Sequence, residues 1–449
     1  MRKNLSILLF VIFLTACSSP ATQTVIPSAP PTIPTQTGAP TQTEMPVLTS
    51  TPVVTASPMC ENEACLANGL QLEYLIVTRP MFIETLKPFM DWKSGHGFRV
   101  GLVTVEWLDA NYTGRHLAEK MKTGMQDLHK KTGLRYVLLV GDTVVNAGDN
   151  WAYTASNLLN SYDLSNPFNV PTGFYRRVNT DPPMEVLASD AYFVEDRDWD
   201  PDNTGLNPRP DNMESSEGTL QAALYLGRWP VRTADEIGII FEKTKAVTPA
   251  SSVFFTADNT LVQENQTPCI GWPPGEYGKM GCYQDVMVTG FKQFFGSKAP
   301  WLDSKTLFVD INENSQATAL MEEIRANTGV MYLSYHGNLD CLGVQGGDCT
   351  PASNFTFESN FPLLDIQACL VANFTYPSRS FMELVLLSPT GPAVVSQSPN
   401  PVLFFRDLRD GKTVGEAFWS EGSVWVYWPN PILLLGDPSL QVLVTPASP

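Results

Sequence analysis

The chain has 449 residues, 43% of them apolar, and a formal net charge of −17. That is enough apolar material for a sizeable core and enough length for one large or two ordinary domains. So acidic a chain argues against nucleic acid as a partner, because phosphate binding needs a basic face.

Arg2 and Lys3 form a positive n-region, and Leu5 to Leu14 an apolar run too short to span a bilayer as a stable helix. Leu14-Thr15-Ala16-Cys17 has the form of a bacterial lipobox, in which the chain is cut before Cys17 and the thiol is lipidated. The plainer alternative is an ordinary secretory signal. Residues 1–17 are therefore read as a lipoprotein signal, with lipid on Cys17 tethering the chain to a bacterial cell membrane or outer membrane. Residues 18–69 begin with a long tract of Thr, Pro, Ser, Gln and Ala, which buries too little apolar surface to fold and reads as a disordered spacer.

Leu72 to Thr78 has the composition of a buried strand. Pro80 opens a helix in which Phe82, Leu86, Phe89 and Met90 recur at helical spacing, and Gly95 and Gly97 end it. Phe98 to Val105 reads as a second strand. Gly114 to Thr132 reads as an amphipathic helix closing on Lys130, Lys131 and Gly133. Tyr136 to Val140 is a third strand, before Gly141-Asp142. Strands alternating with helices predict a parallel α/β sheet. His96, His116 and His129 fall at a turn or on helices and are read as structural or solvated.

Residues 145–183 are irregular. Beyond Ser189-Asp190-Ala191-Tyr192 lies an acidic loop with Asp196, Asp198, Asp200 and Asp202, turned by Gly205. Alternate carboxylates on a tight loop either converge on a hard cation such as Ca²⁺ or stand solvated. Leu224 to Trp229 is a strand, and Thr233 with Glu236 stands at the capping-box spacing of a following helix. The folded body divides near this point into two halves, residues 70–249 and 250–445. The second half opens on a strand ending at Asp258. Helices are expected over 285–295 and 316–327.

Two apolar runs then end in reactive side chains. Val330 to Tyr335 leads into His336-Gly337, and Leu363 to Ala368 leads into Cys369, with a polar loop between them. Ligands of open parallel sheets bind beyond the carboxyl ends of the strands. Neighbouring strands lie about 5 Å apart, so adjacency would set His336 beside Cys369. An imidazole next to a thiol helps generate the thiolate, and nearby backbone N–H groups hold an oxyanion.

The cysteine count bears on the same residue. Of eight, Cys17 is assigned to lipid, and six fall into close pairs: Cys60 with Cys65, Cys269 with Cys282, and Cys341 with Cys349. Connectivity does not follow from sequence, but this simplest pairing leaves Cys369 over, as either buried filler or a reactive thiol. Ser380 to Glu383 starts a short helix in which Glu383 is read as a capping residue. Apolar strands at 391–396 and 432–435 precede Gly436-Asp437-Pro438-Ser439-Leu440.

In order and spacing, these segments resemble the catalytic domain of gingipain-type cysteine peptidases, caspase-like folds of clan CD. The carriers are Tyr74 to Thr78 with Trp92-Lys93, Tyr136 to Asp142, Ser189 to Tyr192, Gly227-Arg228, Tyr335-His336-Gly337, Ala368-Cys369, Ser380 to Glu383 and Gly436 to Leu440. The resemblance implies a caspase/gingipain-like parallel-sheet sandwich with two side-by-side subdomains. It implies His336 as general base and acid, Cys369 as nucleophile, and an oxyanion hole from the N–H groups of Gly337 and Cys369. Asp258 is the positional match for an acidic partner of the imidazole, where gingipains carry Glu. The acidic loop is matched to structural calcium. The Gly that often follows the nucleophile is absent from Leu370-Val371-Ala372. The expectation is a lipid-anchored, extracytoplasmic cysteine endopeptidase with protein or peptide substrates and no cofactor for its chemistry. Its alternatives are a non-catalytic surface-binding lipoprotein on the same scaffold and a transpeptidase-type processing enzyme.

Overall fold

A computed structural model describes residues 71–143, 164–177, 185–196, 207–208, 222–258, 299–345, 348–374, 378–399, 401–420 and 433–445. Its first elements are β1 (Tyr74–Thr78), a 3-10 turn (Pro80–Phe82), α1 (Ile83–Gly95), β2 (Val100–Thr104), α2 (Val105–Asn111), α3 (Leu117–Thr132) and β3 (Tyr136–Val140). Next come β4 (Gly173–Arg177), β5 (Glu185–Ser189), α4 (Ala191–Val194), β6 (Asn207–Pro208), β7 (Tyr225–Trp229) and α5 (Ala234–Ala246). The second half carries β8 (Ser252–Asp258), β9 (Asp303–Val309), α6 (Asn314–Ala326), β10 (Val330–Ser334), β11 (His336–Asn338), β12 (Cys341–Gln345) and β13 (Asp348–Pro351). It ends with β14 (Phe361–Gln367), α7 (Phe381–Leu386), β15 (Pro392–Gln397), α8 (Pro401–Arg409), α9 (Val414–Phe418) and β16 (Leu433–Leu435).

Among the described residues one ten-stranded sheet runs β2-β1-β3-β7-β16-β15-β14-β10-β8-β9. β1, β2, β3 and β7 pair in parallel, as do β15, β14, β10, β8 and β9. β16 lies between the two sets, antiparallel to β15 and joined to β7 through Leu435 and Arg228. The division read at residue 249 falls in the connection between α5 and β8, while β16, from the end of the chain, stands at the seam of the sheet.

Both faces of the sheet are covered, as a parallel sheet requires. Leu75 and Val77 of β1 belong to one core with Leu108, Met121, Phe404 and Phe418. Tyr74 and Ile76 belong to the other, with Phe89, Ile240, Leu320 and Met382. This is the period-two alternation of a strand, read against helices on either side.

Several segments that carried the resemblance bind one another. Arg228, fully buried, grips Asp190 through two hydrogen bonds of 2.7 Å. Lys93 reaches Asp437 at 2.5 Å in a buried pair, and the Tyr74 hydroxyl donates to the same carboxylate at 3.0 Å. Breaking one partner of such a pair costs about 3–5 kcal/mol, because the other is left buried and unpaired.

The structure departs from the sequence reading in several places, among them β4, a strand inside the stretch 145–183 read as irregular. Val105 is not the end of a strand: the Thr104 hydroxyl accepts from Trp107 N and starts α2 at once. Part of the polar loop after His336 is the antiparallel sheet β11-β12-β13. Its apolar content is sparse but placed in alternation, with Leu342 and Val344 buried in the core that also holds Leu333 and Ile366.

Candidate active site

β10 and β14 are neighbours, parallel, with Ser334 level with Gln367. Tyr335 N donates to Gln367 O at 3.1 Å, so the pairing continues past the assigned strand. His336 and Cys369 each stand two residues past that level pair, at the carboxyl ends of the two strands. Both side chains are half-buried. A Cβ built on Gly337 would lie 2.9 Å from Cys369 O and 2.8 Å from Ala368 Cβ, so the His336 and Cys369 limbs touch along their backbones. Only glycine fits there.

Each limb is fixed locally. His336 opens β11 and pairs with Gly343 of β12. A disulfide between Cys341 and Cys349, with Cα atoms 5.3 Å apart, clamps β12 to β13. On the other limb, Leu370 has φ 62°, the one positive φ of a non-glycine residue among those described. That left-handed turn costs about 1–2 kcal/mol for a residue with a Cβ. It folds the chain back so that Val371 N donates to Cys369 O at 2.8 Å and Asn373 N to Leu370 O at 3.0 Å. Backbone strain held by surrounding structure gathers at functional sites.

A buried polar cluster joins β14, the strand that leads to Cys369, to β15 and the residue after it. The Asp365 carboxylate accepts from Ser396 Oγ at 2.6 Å, Ser398 N at 2.9 Å and Ser398 Oγ at 2.7 Å. Burial pushes Asp365 up to about 6 despite those donors. Gln397 Nε2 donates to Ala368 O at 2.7 Å, fixing the residue before the thiol. Sequence reading missed this cluster. Its signal is a carboxylate in an otherwise apolar strand, facing serines on the next one.

The remaining site residues are distributed as follows. Asp258 is fully buried at the end of β8, but it lies level with Tyr335, one residue short of His336. Its charge raises the Tyr335 phenol, after burial the next upward influence on that group, and no hydrogen bond or ion pair joins it to His336 among the described residues. Asp196 is paired with Lys130 at 2.9 Å, both exposed. Among the described residues no three metal-ligating side chains cluster. Cys17, Asp198, Asp200 and Asp202 lie outside the described residues, as does the helix expected over 285–295.

The three expected cysteine pairs fare differently. The pairing of Cys341 with Cys349 is present. The pairing of Cys60 with Cys65 and that of Cys269 with Cys282 are not seen, because Cys60, Cys65, Cys269 and Cys282 all lie outside the described residues. Cys369, read as the cysteine left over, is disulfide-bonded in this structure. Spacing along the chain does not tell which loops meet in space.

Glu383 is the N3 residue of a capping box with Ser380, as its position predicts, and is fully buried. Burial first, and then the charge of Asp142, push its carboxyl up to about 8, against the pull of Arg379. No helix among the described residues is long and apolar enough to cross a membrane.

Comparison with known proteins fits this arrangement. No curated protein matches the chain. Among solved structures, the chain is similar to the Arg-specific cysteine proteinase gingipain R, with 14% identity, a TM-score of 0.53, and 83% of this chain and 78% of that one covered. A second structure, described as a protease, is similar at 14% identity and a TM-score of 0.52, covering 82% of this chain and 78% of the other. At such identity these likenesses speak for the fold. The model of Peptidase family C25 matches residues 68–443, which is most of the chain, and on that ground the protein belongs to the C25 family of cysteine peptidases.

Proposed function

We propose that this C25-family chain is a cell-envelope-anchored endopeptidase that cleaves peptide bonds with Cys369 as nucleophile and His336 as its base and acid. The observation that supports the reading is the parallel register of β10 with β14, Ser334 level with Gln367, from whose carboxyl ends His336 and Cys369 follow. The Cys369 thiolate attacks the scissile carbonyl carbon and forms the C–S bond. The N–H groups of Gly337 and Cys369 are the donors to the oxyanion. The His336 imidazolium gives its proton to the departing amine as the C–N bond breaks. Water then attacks the thioester, losing its proton to His336, and the C–S bond breaks to return the thiol. Asp258 would act on the imidazole only through the intervening Tyr335 region.

Because Cys369 is disulfide-bonded, reduction must precede attack: two thiols release it by exchange and leave as their own disulfide, or a phosphine gives two electrons and becomes its oxide while water supplies the oxygen and the two protons. Lipid on Cys17 would supply the anchor, and calcium at Asp196 to Asp202 would stiffen the loop without entering the chemistry. The test is cleavage of a diverse peptide library by the reduced protein beside Cys369→Ala, read by mass spectrometry. Cleavage lost in the variant supports the peptidase. Products that require an added amine favour a transpeptidase. No cleavage, with Cys369 inert to a peptide electrophile, would leave a binding lipoprotein.

A further inference from the structure

The first turn of α7 bonds both limbs of the candidate site. Phe381 N donates to Leu339 O at 2.6 Å, and Met382 N donates to Val371 O at 3.1 Å. Leu339 follows β11, which His336 opens, and Val371 lies two residues past Cys369. The first N–H groups of any helix lack partners within it. Here they hold the His336 limb and the Cys369 limb to one helix start.

Arg379 stands just before that turn, with its side chain 11% exposed. Its guanidinium joins two capping boxes. Glu236 Oε2 accepts from Thr233 N at 3.1 Å while Glu236 Oε1 takes Arg379 Nη2 at 2.7 Å. Glu383 Oε2 accepts from Ser380 N at 2.8 Å while Glu383 Oε1 takes Arg379 Nη1 at 3.2 Å. Arg379 also donates to Pro230 O, beyond β7, and lies 3.7 Å from Asp142, beyond β3. Arg232 holds that same Asp142 at 2.5 Å.

We propose that Arg379 is a positioning residue for the Cys369–His336 pair: it fastens the start of α7, and through it both limbs, to the chain that follows β3 and β7. This rests on the peptidase reading. Arg379 touches neither reacting group and acts through the two backbone bonds of α7. The charges acting on Glu383 are Asp142 from the β3 side and Arg379 on its own segment, while Arg232 pairs with that Asp142 and Glu236 with that Arg379. With Glu383 pushed up to about 8, its grip on Arg379 strengthens as pH rises through that value.

The experiment is alkylation of Cys369 in the full chain, reduced and then freed of reductant, across about pH 5 to about pH 9. Iodoacetamide is the probe, and the Cys369 peptide is quantified by mass spectrometry. An activated thiol labels at low pH, and His336→Ala removes that limb. Arg379→Met is expected to cut low-pH labelling about tenfold, one unit of thiol pKa, with Arg379→Lys recovering part. Glu383→Gln keeps the capping box, since Gln serves at N3, and is expected to flatten the alkaline rise; it decides the matter should Arg379→Met not fold. A His336-dependent limb unchanged in Arg379→Met and in Glu383→Gln would overturn the role of Arg379 and leave the peptidase standing. Labelling like an ordinary thiol, without dependence on His336, would take both readings down.

Discussion

Gly337 lies so close to Cys369 that a side chain on it has no room: its Cβ would stand 2.9 Å from Cys369 O. The neighbour is backbone and cannot swing away. Gly337→Ala must therefore push the His336 limb off the Cys369 limb. A displacement of about 1 Å costs catalysis about 10²-fold. The expected result is a loss of that order in kcat/KM, measured on any peptide the protein cleaves. Retained activity in Gly337→Ala would mean that the two limbs are not held at this spacing during turnover.

Reduction is expected to switch activity on. A sulfur in a disulfide has no thiolate to attack with, and Cys369 is disulfide-bonded. Protein prepared without reductant should be silent towards peptide substrates and should gain cleavage on adding a phosphine. Full activity in the oxidised protein would contradict Cys369 as nucleophile. Since Cys341–Cys349 clamps the strand next to His336, the double variant Cys341→Ser with Cys349→Ser should be less active than the parent under mild reduction that spares this disulfide, and should match the parent once excess phosphine has opened it.

Leu370→Gly is expected to stabilise the fold. Glycine adopts a φ of 62° without the cost borne by leucine, at the expense of greater freedom when unfolded. The balance is about 1 kcal/mol or less in favour of the glycine. Leu370→Ala keeps the backbone cost and should gain nothing. Urea midpoints of the two variants separate backbone strain from side-chain packing.

Lys243 is 1% exposed and donates to the carbonyl of Leu386 at the end of α7. Burial lowers its ammonium from 10.5 to about 7. Between those values the unfolded chain holds a proton that the folded chain does not, so stability falls as pH drops from about 10.5 towards 7 and levels off below. The shift of 10.5 − 7 = 3.5 units corresponds to a cost on the order of 5 kcal/mol at neutral pH. Lys243→Met loses one hydrogen bond and escapes that cost. It should raise the denaturation midpoint at pH 7, with the advantage shrinking towards pH 10. Equal gains at both values would show that the ammonium is not what burial opposes.

The strand ends that matter were legible because reactive residues interrupt apolar runs: His336 after β10 and Cys369 after β14 stand out by composition alone. β3 was readable to the residue, since Tyr136 to Val140 is apolar between polar flanks. The capping boxes at Thr233 and Ser380 were likewise local patterns with local causes. What escaped was non-local. No sequence window tells that Asp365 faces Ser396 and Ser398, that Arg379 bridges Glu236 and Glu383, or that Asp258 lies level with Tyr335 rather than with His336. These follow from strand order and register, which parallel crossovers conceal. The hairpins after His336 were missed because alternation over three residues, in glycine-rich chain, is too short to read as strand.

β16 is made from residues 433–435 yet stands in the middle of the sheet, and the Tyr74 hydroxyl, from the first strand, bonds Asp437 just beyond it. Until those last residues arrive, the two parallel sets have no strand to join them. Arg228 has no Leu435 beside it, and Lys93 would be buried without Asp437. A growing chain thus carries two unfinished half-sheets with open edges, which invite mispairing. Closure demands contact between segments 363 residues apart, the kind of topology that folds slowly. The two halves thus join late, after β10 and β14, the strands that lead to His336 and Cys369, can have paired within their own set.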